Sequence, residues 1–277
     1  MNLRDRIEKL YAQPAQQDYG HDYFSAFAEF KDALNQGSIR IAEKKNGNWV
    51  VNDWVKKGIL LGFRIGKLQD TSINDKFVFY DKSTYPLKKI KITDGVRLVP
   101  GGSSIRDGCY VSPGVVCMPP MYVNVGAYVG SETMIDSHAL VGSCAQIGER
   151  VHLSAGTQIG GVLEPIGALP VIIEDDVLVG GNCGIYEGAL VRRGAVIAAG
   201  VVITGGTPVY DLVHEKVYRK EGDKPLEIPE NAVVVPGSRP INKGWGREQG
   251  LSLYTPVIVK YKDEKTSKSV ELEDLLR

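Results

Sequence analysis

The sequence predicts a mainly β chain: a parallel β-helix of six-residue repeats over residues 96–210, a small mixed α/β domain with its connection over 1–95, and a short β/α extension over 211–277. Three observations carry this reading. Apolar residues recur every six positions from Ile105 through Val111, Cys117, Val123, Val129, Ile135, Val141, Ile147 and Leu153 to Ile159, a period that fits neither a helix nor one uninterrupted strand. Four residues after these anchors the chain tends to be compact, as at Ala127, Thr133, Ala139, Ala145 and Thr157. The register then breaks once, between Ile159 and Ile173, and resumes through Val179, Ile185, Val191, Ile197, Ile203 and Val209.

Such a period builds a prism. Short strands form the faces, anchors point inward, and each coil pairs with the next about 4.8 Å away. Three hexads per coil make the seventeen phased anchors into five to six coils. Gly126, Gly130, Gly142, Gly148, Gly160 and Gly180 suit corners with no room for a Cβ. The break at residues 160–172 adds eight residues to one hexad and must project as a loop.

Before the prism, "HDYFSAFAEFKDALNQG" places Phe27, Phe30 and Leu34 on one helical face and stops at Gly37. Ile39 and Ile41 then pair in pattern with Trp49 and Val51 across Asn46-Gly47, a type I′ hairpin signal. A second helix starts at Asn52 or Asp53 and runs through "WVKKGILLGFRI". Residues 67–95 have no sustained period and read as a connection. After Val209 come a hairpin excursion, two strands in "NAVVVPGSRP" and "LSLYTPVIVKYK", and a helix in "SKSVELEDLLR".

Composition narrows the function. Lys plus Arg and Asp plus Glu both number 33, so no net field draws nucleic acid or an anionic membrane. No run reaches the length of a membrane span, and the charged N-terminus lacks a signal-peptide core, which places the chain in the cytoplasm. Small molecules and further copies of the chain are the expected partners. Cys109, Cys117, Cys144 and Cys183 lack CxxC spacing and read as reduced core thiols. The outward residues after the anchors vary, from Arg106, Ser112 and Met118 to Asn124, Gly130 and Asp136, which favours a local site over a repetitive binding surface.

Five blocks, "GSIRIAEKKNGNWVVNDWVKKGILLGFRI", "VRLVPGGSSIRDG", "MYVNVGAYVGSETMIDSHALVGSCAQIGERVHLSAGTQIGGVLEP", "IIEDDVLVGG" and "LYTPVIVKY", resemble in order the tetrahydrodipicolinate N-succinyltransferases, members of the hexapeptide-repeat acyltransferases. The resemblance implies a left-handed helix and a homotrimer with sites between neighbouring prisms. It also implies transfer of succinyl from succinyl-CoA to tetrahydrodipicolinate in diaminopimelate and lysine biosynthesis, with no permanently bound cofactor and no metal.

That chemistry needs a proton acceptor, a held carboxylate and a stabilised oxyanion. Asp136 in "TMIDS" matches the family's acceptor-site aspartate, and Arg97 in "VRLVP" matches the arginine that meets a substrate carboxylate. Many members read "SEVVEG" where this chain reads "CGIYEG", so an earlier glutamate is Gly184 here and Glu187 matches the later one. Among His21, His138, His152 and His214, His152 lies in a matching block and is the remaining base candidate, beside its reading as a structural imidazole. Position and charge assign coenzyme A to Gly205, Arg239 and Lys243. The alternatives are another CoA-dependent acyltransferase with an acetyl donor or amino-sugar acceptor, and a zinc hydratase. The latter needs three histidines, whereas His138 and His152 are fourteen residues apart, off the coil spacing.

Overall fold

The computed structural model describes residues 1–222 and 224–262. Three ladders of two-residue strands form a parallel prism. The first face stacks Arg97–Leu98, Val116–Cys117, Met134–Ile135, His152–Leu153, Leu178–Val179 and Val196–Ile197, then joins the long strand Ala232–Pro240. The second runs from Ser104–Ile105 through Tyr122–Val123, Leu140–Val141, Gln158–Ile159 and Gly184–Ile185 to Val202–Ile203. Tyr110–Val111, Tyr128–Val129, Gln146–Ile147, Ile172–Ile173, Leu190–Val191 and Glu227–Ile228 make the third.

Every predicted anchor is buried, and those from Ile105 to Ile203 each form the second residue of a strand. Ala127, Thr133, Ala139, Ala145 and Thr157 are also buried, filling the corners between anchors. Thr133 and Thr157 satisfy their hydroxyls there by donating to the Gly148 and Gly180 carbonyls at 2.9 and 3.2 Å. Three residues after an anchor the backbone often turns left-handed, at φ 62° for His138 and 55° for Asn182. Gly130 serves a different need: a Cβ there would lie 2.5 Å from the Gly148 carbonyl carbon on the next coil.

Val209 does not continue the third face. It is buried, but its strand Val209–Asp211 pairs with Lys216–Tyr218 and Ser252–Tyr261 and does not enter the third face. Glu227–Ile228 takes that place beyond the hairpin, so the sixth coil closes with residues outside the hexad register. The two predicted late strands, Ala232–Pro240 and Ser252–Tyr261, form an antiparallel arm whose tip carries α4 (Gly244–Glu248), an element the sequence reading did not contain. The helix predicted in the tail lies outside the described residues.

The N-terminal region holds α1 (Leu3–Tyr11), α2 (His21–Asn35), β1 (Ala42–Lys45), β2 (Asn48–Val51) and α3 (Asp53–Ile65). No sequence expectation covers α1, although Leu3, Ile7 and Leu10 share a helical face and the Asn2 side chain accepts from Asp5 N–H at 2.9 Å as an N-cap. The hairpin turns at Asn46-Gly47 with φ of 51° and 81°, as expected of a type I′ turn. Its register is shifted from the one expected: Ala42 faces Val51 and Lys44 faces Trp49, while Ile41 turns into the helical core. Between residues 67 and 95 the connection contains a small hairpin, β3 (Leu68–Asp70) with β4 (Tyr80–Lys82).

This region covers the third face. Arg40 stacks on the Tyr128 ring at 3.5 Å and donates to Gln146 Oε1 at 3.1 Å. Ala42 packs on Ile172 and Leu190. Glu174, at the edge of that face, accepts from Trp49 Nε1 at 2.8 Å and pairs with Lys44 at 2.7 Å and Arg192 at 3.2 Å. Burial raises the cost of its charge, yet the bonds from Lys44 and Trp49 hold the Glu174 carboxyl below its ordinary range. The fully buried Lys56 of α3 reaches the projecting loop and donates to the Ala168 carbonyl at 2.6 Å.

All four cysteines are buried free thiols, and burial pushes Cys109, Cys117 and Cys144 up to about 12.

Candidate active site

With the third face covered, the first and second faces and their edges carry the candidate residues. Asp136 ends the strand Met134–Ile135 at the edge between these two faces. Its Oδ1 accepts from Ser137 N–H at 2.7 Å, which fixes the carboxylate and leaves Oδ2 pointing along the edge. There Oδ2 lies 3.9 Å from Nε2 of His152, the outward residue of the next coil. His152 is 10% exposed against 31% for Asp136, so the imidazole forms a wall beside the more accessible carboxylate.

Arg97 belongs to the same face. Its backbone N–H donates to the Val115 carbonyl at 2.9 Å, and its strand lies two places from that of Asp136. Two strand spacings amount to about 10 Å. The Arg97 side chain is exposed and pairs with no described residue. A cation and a carboxylate at that separation can bracket a small acceptor with its own carboxylate.

Glu187 and Gly205 meet each other at the opposite edge, between the second and third faces. The Gly205 N–H donates to Glu187 Oε2 at 2.7 Å, so one carboxylate oxygen holds the turn of the next coil. Glu187 is therefore two coils along and one face-width away from Asp136, too far for both to touch one small molecule bound to this chain alone. Arg239 and Lys243 lie farther along, on the antiparallel arm and at the start of α4. Arg239 Nε is buried and meets no hydrogen-bond partner among the described residues, a donor that an anion would satisfy. The arm reaches the second face through Tyr254, whose hydroxyl accepts from Val202 N–H at 2.6 Å. Sequence spacing does not reveal the place of Tyr254, because the pairing of distant segments sets it.

Comparison with known proteins fits this arrangement. Residues 2–65 match the model described as the tetrahydrodipicolinate N-succinyltransferase N-terminal region, and residues 170–205 match that of the hexapeptide repeat of succinyl-transferase. A 2,3,4,5-tetrahydropyridine-2,6-dicarboxylate N-succinyltransferase from Ralstonia nicotianae is 43% identical over 261 residues, spanning 93% of this chain and 90% of that protein. Proteins of the same name from Psychrobacter sp. and Legionella pneumophila are 42% and 44% identical, covering 100% and 92% of this chain and 99% and 89% of their own lengths. The chain is thus an acyltransferase of the hexapeptide-repeat class, built on a left-handed parallel β-helix. It belongs to the tetrahydrodipicolinate N-succinyltransferase family.

Proposed function

We propose that the chain transfers succinyl from succinyl-CoA to the nitrogen of tetrahydrodipicolinate, in the cytoplasm, as a homotrimer. The observation that carries the multi-chain site is the split of the candidate residues between two edges of one prism, Arg97 and Asp136 on one, Glu187 and Gly205 on the other. Cyclic symmetry brings unlike edges of neighbouring copies together, and each cleft then holds one half-site of each kind.

In this reading Arg97 grips an acceptor carboxylate through its planar fork. Water first adds across the C=N bond of the acceptor ring to give a hydroxylated ring amine; its nitrogen attacks the thioester carbonyl carbon, Asp136 takes the proton that the nitrogen sheds, and the CoA thiolate leaves. The C–N bond at the hydroxylated carbon then breaks, opening the ring to N-succinyl-2-amino-6-oxopimelate. Glu187 shapes the second edge, and its other oxygen faces the cleft as a second acidic group. Coenzyme A lies along Gly205, Arg239 and Lys243, with Arg239 Nε, unpartnered among the described residues, available to one of its oxygens.

The test is CoA thiol release from purified protein given tetrahydrodipicolinate and either succinyl-CoA or acetyl-CoA. Succinyl carries a terminal carboxylate, and donors built for it go unsatisfied with acetyl, so kcat/KM should favour succinyl-CoA by roughly 10²-fold or more. A ratio of one or below rejects the succinyl assignment. Light scattering should give three times the chain mass, and an active monomer rejects the shared cleft.

A further inference from the structure

On the second face, the outward residues preceding the anchors form a column of Ser104, Tyr122, Leu140, Gln158, Gly184 and Val202, each paired with the next across the ladder. Gly184 is the one glycine in it. It sits within a strand and does not have the left-handed φ that would call for glycine. What excludes a side chain is the ring of Tyr186. A Cβ on Gly184 would lie 2.5 Å from Tyr186 Cε2, 2.9 Å from Cζ and 2.8 Å from the hydroxyl oxygen. On the preceding coil, a Cβ on Gly160 would lie 2.7 Å from Cδ1 of the same ring.

Two glycines on adjacent coils therefore make a bed for one aromatic side chain. Tyr186 starts at the edge beside Glu187, and its ring folds back so that the hydroxyl comes to rest where a side chain of residue 184 would begin. The ring is half-buried, and its hydroxyl makes no hydrogen bond to a described residue. A donor carried to an open face on a bed that only glycine permits is a built feature. It also matches the sequence exchange: "SEVVEG" has a long polar side chain where Gly184 stands and a valine where Tyr186 stands.

We propose that the Tyr186 hydroxyl is a substrate-contacting hydrogen-bond donor to an anionic oxygen of the acyl group, standing in space for the carboxylate that Gly184 lacks but opposite to it in hydrogen-bonding sense. A carboxylate only accepts; a phenol donates. The Tyr186 hydroxyl thus supplies a donor on the second face beside the Glu187 carboxylate, and proton abstraction is left to Asp136 across the cleft. Two oxygens have this chemistry, the terminal carboxylate of succinyl and the thioester oxygen as it becomes anionic. The inference rests on the proposed acyl transfer, so wild-type protein inactive with both donors would refute that reading, whereas the comparison below addresses Tyr186 in an active enzyme.

Tyr186→Phe keeps the ring on its glycine bed and removes only the hydroxyl, so its thermal midpoint should equal that of the wild type. Its kcat/KM with succinyl-CoA should fall roughly tenfold or more, the loss expected for a hydrogen bond to a charged group. A loss confined to succinyl-CoA and seen in KM identifies the terminal carboxylate; an equal loss of kcat with acetyl-CoA identifies the oxyanion. Gly184→Ala should reproduce the loss by displacing the ring while leaving the hydroxyl on the chain. Wild-type kcat/KM for Tyr186→Phe with both donors, or for Gly184→Ala, would overturn the proposal.

Discussion

The third face of the prism and the first two follow one hexad code and meet very different surroundings. On the third, Gln146, Ile172 and Leu190 are buried outward residues because Arg40, Ala42 and the β1–β2 hairpin lie on them. On the first and second, the outward positions include exposed Arg97 and Val202 and the accessible Asp136. The anchors cannot tell the faces apart, since they are aliphatic or cysteine throughout. The outward residues separate the faces only in part: Gln146, Ile172 and Leu190 lie under the second layer, whereas the open faces mix Arg97, Met134, Gln158, Gly184 and Val202. The candidate residues Arg97, Asp136 and Glu187 all keep accessible side chains.

The sharpest way to break that contrast is to remove chemistry from an open edge without touching the fold. Asp136→Asn keeps the shape, and its Oδ1 can still accept from Ser137 N–H. The proposed base is gone, so kcat should drop on the order of 10²-fold or more while trimer mass and thermal midpoint hold. Near-normal turnover would move His152 or Glu187 into the role.

A mutation on the covered face should do the reverse. Glu174→Gln removes the charge that Lys44 and Arg192 share and leaves Trp49 an acceptor. Arg192 retains Glu227 at 2.7 Å, so the loss is partial, about 2 kcal/mol of stability by the usual range for charged hydrogen bonds. Urea unfolding followed by Trp fluorescence measures it. The same carboxyl gives a pH signature. Because its folded pKa lies below the ordinary 4.5, its contribution is complete above that value and is lost as pH falls through the lower folded one. Wild-type stability should thus decline more steeply in acid than that of Glu174→Gln, and parallel curves would mean the pair network contributes nothing.

How much of this was legible in the sequence follows from the same contrast. Anchors repeat every six residues in one chain, so period alone revealed the prism, its loop and its buried thiols. The relation between Tyr186, Gly184 and Gly160 depends on neighbours twenty-six residues apart in sequence and stacked in space, where only pairing of coils brings them together. Asp136 and Arg97 are candidates through their motifs, but their separation from Glu187 was not legible, because which edge a residue occupies depends on counting coils across an irregular loop. The sixth coil escaped for a similar reason: the hairpin at 209–218 removes the hexad register just where Glu227–Ile228 completes the face. In α1 the signal was present, since Leu3, Ile7 and Leu10 have helical spacing.

The smallest effect concerns Arg97 and separates binding from chemistry on the open side. Its backbone is pinned in the first ladder, while its exposed guanidinium pairs with no described residue. Arg97→Lys should therefore leave stability within about 0.5 kcal/mol of wild type, as surface substitutions usually do. Lysine keeps the charge but loses the planar fork, so an acceptor carboxylate held by two parallel bonds would be held by one. KM for tetrahydrodipicolinate should rise roughly tenfold, about the value of one hydrogen bond to a charged group, with kcat nearly unchanged because the proposed base is untouched. The KM for succinyl-CoA should not move, since that donor is assigned to the other edge. An unaltered acceptor KM would make Arg97 an ordinary surface cation, and a parallel rise in both KM values would mean that the two edges do not divide acceptor from donor.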